Sequence, residues 1–179
     1  MTTIATYNNL ESANNALDKL MESGISRDYI SIAALEETSK KMHTNIVTNN
    51  NNPIGDIVGG TTGGILSGAG LGGIIGLLAG VAALTIPTLG ALLITGPLVA
   101  ALGFSALAAN AVAGAAIGGT AAGVAGLATG LTKAGLDAAD ANKIEHDIKS
   151  GGVMLAVDDD SQMTQDIIQA TKPNTMATL

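Results

Sequence analysis

Gly68-Ala69-Gly70-Leu71-Gly72-Gly73 has the spacing G-x-G-x-x-G, which in a strand-turn-helix setting lets a backbone approach a pyrophosphate. That setting is missing here. No strand is predicted just before it, and the next acidic residue is Asp137, far beyond the roughly 20 positions at which a ribose-binding carboxylate belongs. Asp158-Asp159-Asp160 offers oxygen ligands of the kind Mg²⁺ or Ca²⁺ prefers, but consecutive turn residues point apart and no EF-hand spacing follows. The run reads as a solvated helix cap. His43 falls in a polar stretch and His146 sits between Glu145 and Asp147 on a predicted helix, so neither completes a metal or nucleophile motif. Tyr7 and Tyr29, in or beside predicted strands, read as packing residues. There is no Cys, which removes disulfides, thiolate ligands and thiol nucleophiles. The sequence therefore predicts no catalytic residue, no metal, no cofactor and no small-molecule substrate.

Nucleic acid is also a poor partner. The chain of 179 residues carries 15 acidic and 8 basic side chains for a net charge of −7, and counterion release needs clustered Lys and Arg that it lacks. No basic, apolar and small-residue leader pattern opens the sequence, so classical secretion is not expected.

The chemistry that remains is packing. Residues 57–132 hold no charge, and glycine returns at every fourth position: Gly60, Gly64, Gly68, Gly72, Gly76 and Gly80. A second small-residue series, Gly114, Gly118, Ala122, Gly126 and Gly130, follows a break marked by Pro87, Gly90, Gly96 and Pro97. Small residues on one stripe let another helix backbone come close, the basis of small-xxx-small association. Spacing by four on a helix of 3.6 residues per turn advances about 40° each time, so one straight neighbour cannot follow the stripe. The pattern predicts a helical hairpin over 54–133, packed against itself and against further copies through these glycines. In a helix interior each glycine costs ~1 kcal/mol relative to Ala, so a neutral spacer has no reason to keep six in phase.

Around that hairpin the sequence spells an α/β domain. Thr2-Thr3-Ile4-Ala5-Thr6-Tyr7 reads as a strand. Asn8 or Asn9 caps a helix with Leu10, Ala13, Ala16, Leu17, Leu20 and Met21 on one face and Gly24 at its end. Tyr29-Ile30-Ser31-Ile32-Ala33-Ala34-Leu35 is a second strand, and the polar 37–53 reads as a linker. After Lys133 come a polar helix over 137–149 and the almost wholly apolar strand Val153-Met154-Leu155-Ala156-Val157, suited to a central place in a sheet. A last helix capped within 158–161 presents Met163, Ile167, Ile168 and Ala170 inward until Pro173, leaving 174–179 as a tail. The expected fold is α+β: a small ferredoxin-like, split βαβ sandwich from 1–36 and 134–173, interrupted by the Gly-zipper hairpin.

This order of elements, the Gly-rich hairpin, and the junction Ile144-x-x-x-Ile148-x-x-Gly151-Gly152-Val153-Met154-Leu155-Ala156-Val157 resemble the bacterial general-stress-protein (heat-induced stress protein) family. The resemblance implies an α/β domain interrupted by a membrane-type hairpin and a link to stress, with no catalytic residues to carry over.

Each half of the hairpin is long enough for a bilayer core of ~30 Å, and Lys40, Lys41 and Lys133 flank it on the side of the α/β halves. That places the protein in the inner membrane with both termini cytoplasmic. Phe104 is the only aromatic residue of the uncharged stretch, however, and a lipid-facing span usually carries an aromatic belt. The expected function is non-enzymatic self-assembly through the hairpin, in the bilayer or as a soluble cytoplasmic assembly with an apolar interior. The alternative is a channel or membrane-perturbing protein whose hairpin inserts on demand, although a stretch without a charged ring gives ion selectivity little to work with.

Overall fold

A computed structural model describes residues 1–40, 74, 78, 83–86, 88–102 and 126–179 of the chain. Its centre is the strand β5 (Val153–Val157), in which every side chain is buried. Five consecutive apolar residues leave no polar face, so β5 can lie only where both faces are covered and both edges are paired. It pairs antiparallel with β1 (Thr3–Tyr7) on one side and β2 (Ile30–Leu35) on the other. The sheet continues outward through β4 (Gly90–Thr95) to β3 (Ala83–Ile86), and beyond β1 to β6 (Thr175–Thr178). The order is β3-β4-β2-β5-β1-β6, and every pairing is antiparallel.

One face carries α1 (Leu10–Glu22) and the last helix, Gln162–Ala170. As the spacing predicts, Asn9 caps α1, its side chain accepting from Ser12 N at 2.8 Å. Gly24, with φ of +92°, ends the helix, and Ile25 N reaches back to Leu20 O at 3.1 Å. Ala13, Ala16, Leu17 and Leu20 are buried, whereas Met21, expected on the same face, is exposed. Of the residues expected inward on the last helix, Ile168 is buried and Ile167 packs against the core, whereas Met163 and Ala170 are exposed and Thr164, whose hydroxyl bonds Asp159, is buried.

The opposite face is covered by α2 (Leu98–Ala101), α3 (Leu127–Lys133) and α4 (Ala138–Lys149), which makes Gln162–Ala170 α5. Asp137 caps α4 through Ala139 N at 2.8 Å, and Ile144 and Ile148 are buried against the sheet. Leu92, Ile94, Leu98, Leu102, Leu127 and Leu131 fill this second core with Ile4, Met154 and Ala156.

Three sequence expectations change here. Residues 83–86 and 90–95, which the hairpin reading places at the end of a helix and in a Pro/Gly break, form the strand pair β3 and β4, closed by Leu89 N on Ile86 O at 3.1 Å. Helical and strand periods cannot be separated where nearly every residue is apolar, and the free edge of β2 selects the strand. The expected tail 174–179 contains β6, whose Met176 and Ala177 alternate between the two cores. Finally, parts of the expected hairpin at Ile86, Leu92, Leu98, Leu127 and Leu131 belong to the α/β core itself.

The junction between β4 and α2 depends on Gly96. Its φ is +88°, and a Cβ there would lie 2.5 Å from Ile30 O and 2.6 Å from Ser31 Cα, both backbone atoms of the neighbouring strand. Gly24 shares the left-handed backbone but faces open space. Gly96→Ala is therefore expected to destabilise the fold by more than about 2 kcal/mol, from left-handed strain and overlap together, and Gly24→Ala by about 1 kcal/mol. Urea unfolding of the two variants checks the difference.

Candidate functional site

The apolar segment between β2 and β5 has few polar side chains with which to cap its own helices. Pro97 and Gly126, the residues that precede α2 and α3, make no side-chain cap. The surrounding α/β elements supply the acceptors instead. Ser31, buried on β2, accepts from Leu98 N at 2.9 Å at the start of α2. Glu145 on α4 accepts from Ala128 N at 2.6 Å at the start of α3. On the other face, the buried Asn14 of α1 accepts from the N–H of Ile74, a helical residue, at 3.1 Å. Ile74 and Leu78 are both buried in the core formed with α1 and α5. These contacts hold the inserted segment to the body, and they form the candidate site.

Gly126 is the tightest of the three roots. A Cβ on it would lie 3.0 Å from the Glu145 carboxylate and 3.0 Å from Thr88 Oγ1, so its missing side chain is what lets the carboxylate reach the helix start. The carboxylate also sits at the positive end of the helix backbone dipoles. Of the glycines expected to mediate packing, Gly126 lies at this root and Gly130 is buried one turn into α3. Gly60, Gly64, Gly68, Gly72, Gly76, Gly80, Gly114, Gly118 and Ala122 lie outside the described residues, as does the G-x-G-x-x-G match at 68–73.

Two further polar clusters bind elements together. Asp147 of α4 accepts from Thr6 Oγ1 and, at 2.8 Å, from Thr175 Oγ1, so one carboxylate spans the adjacent strands β1 and β6. Tyr7, buried between β1 and α5, lies 2.7 Å from Thr171 Oγ1, whose own proton goes to Ile168 O at 2.6 Å. Burial raises the Tyr7 pKa, and the Thr171 contact opposes that rise. In the acidic run, Asp159 accepts from Ser161 Oγ at 2.5 Å and from Thr164 Oγ1, and these bonds, that of Ser161 first, lower its pKa. The cap of α5 is Ser161, which accepts from Thr164 N at 3.2 Å, and Asp159 holds that serine in place rather than capping the helix itself. His146 is exposed on α4, and His43 lies outside the described residues.

Among the described residues, no group of three or more His, Cys, Asp or Glu side chains could hold a metal ion. An open depression of about 360 Å³ lies between α3 and α4, lined by Ala128, Thr129, Thr132, Lys133 and Asn142. Its hydroxyl Thr132 Oγ1 is bonded to Ala128 O at 2.9 Å. No helix among the described residues is long and apolar enough to cross a membrane.

Asn14, Ser31 and Glu145 gave no sequence signal. A buried Asn at a helix position between Ala13 and Ala16 was the one trace, since a polar side chain on an apolar face needs a partner.

Two outcomes follow from this geometry. Glu145→Ala leaves the Ala128 N–H without its charged acceptor and is expected to lower stability by about 1.5–3 kcal/mol in urea unfolding. The raised Tyr7 pKa means that the folded chain keeps a proton the unfolded chain releases. Its contribution is whole below the unfolded phenol value of about 10 and is lost as pH rises through the folded value. Alkaline unfolding followed by circular dichroism is expected to show stability falling above that value, with a shallower fall in Tyr7→Phe.

No protein-family model, no curated protein and no solved structure matches this chain, so the resemblance to the general-stress family stands on element order and composition alone.

Proposed function

We propose that this protein is a non-enzymatic self-assembling module in which an α/β body holds two uncharged, glycine-rich segments, 57–73 and 103–125, for contact with other copies of the chain. The observation that carries this reading is how the long apolar stretch divides. Ile74, Leu78, Ile86, Leu92, Leu98, Leu102, Leu127 and Leu131 are buried in the body's own cores. The stripe glycines Gly60, Gly64, Gly68 and Gly72 and the small series Gly114, Gly118 and Ala122 fall in 57–73 and 103–125, outside the described residues. Side chains this small add little to a hydrophobic core, and their value is in letting backbones approach closely.

In the body, the sub-order β2-β5-β1-β6 with α1 and α5 on one face is consistent with a split βαβ sandwich, and we read the remaining strands and helices as an insertion between β2 and β5. In this reading the body sets the spacing and direction from which the glycine-rich segments depart. The link to stress is part of the proposal on the strength of the resemblance in element order.

Membrane insertion is the second reading. Both leftover segments are free of charge and reach the about 17–25 residues that a bilayer span uses. The mass of the purified full chain, with and without detergent, separates the two. A multiple of 17.6 kDa without detergent or lipid supports soluble assembly, whereas extraction only by detergent from carbonate-washed membranes supports insertion. A monomer under both conditions overturns both. Replacing Gly64 and Gly68 together by Leu is expected to reduce the number of chains per particle while leaving the circular dichroism of the body in place.

A further inference from the structure

We draw no further inference here: the strongest candidate, the open depression between α1 and the end of α5 lined by Ser12, Asn15, Lys19, Thr171 and Lys172, carries nothing, because both lysines are exposed side chains that share it with Glu11 and nothing in the structure shows what would bind there.

Discussion

Everything in this fold follows from a strand with no polar side. Val153-Met154-Leu155-Ala156-Val157 is buried along its whole length, so the sheet built around it must be covered twice. The helices between β1 and β2 and between β5 and β6 cover one face. The other face is covered by α2, α3 and α4, all contributed by the chain between β2 and β5. The apolar insertion is thus a structural half of the body as well as the source of its glycine-rich segments. Without it, Ile4, Met154 and Ala156 would face water.

Covering a sheet with an uncharged segment creates a difficulty at every helix start, where backbone N–H groups need acceptors. Asn14, Ser31 and Glu145 resolve it from outside the segment. Each is a side chain from outside the uncharged stretch placed on one of its backbone donors, in surroundings where an unmet donor costs about 1–3 kcal/mol. These bonds fix position more than they add stability. Apolar packing is indifferent to small slides of one element along another, whereas a side-chain acceptor recognises one particular N–H. Asp147 does the same at the edge of the sheet, where it ties β6 to β1 and both to α4.

Much of the body was legible in the sequence for local reasons. The Asn9 cap, the Gly24 stop, the face of α1 and the central place of β5 are written within single elements, by capping chemistry and by periodicity. β3 and β4 were not legible because Ala-Leu-Thr-Ile and Gly-Ala-Leu-Leu-Ile-Thr fit either period, and the deciding factor is the exposed edge of β2 far away in the chain. Likewise β6 is four residues without a strong local preference, made a strand by the ladder that β1 offers. The polar roots were hidden for a similar reason. Ser31 and Leu98 are separated by 67 positions, and Asn14 and Ile74 by 60, so their contacts exist only once the sheet has assembled.

The division of the uncharged stretch between body and leftover segments also bears on how assembly and folding relate. A hairpin joined to its domain only at its two ends could leave that domain unchanged on changing partners. Here the described residues of the stretch contribute Ile74 and Leu78 to one core, and β4, α2 and α3 to the other, with Gly126 at the start of α3. A pull on residues 103–125 is therefore transmitted at one end to Leu102, buried beside α2, and at the other to Gly126 under the Glu145 carboxylate. Both points lie on the face of the sheet opposite α1 and α5. If 103–125 makes the contacts proposed above, those contacts would act through Leu102 and Gly126 on the packing that keeps the central strand dry.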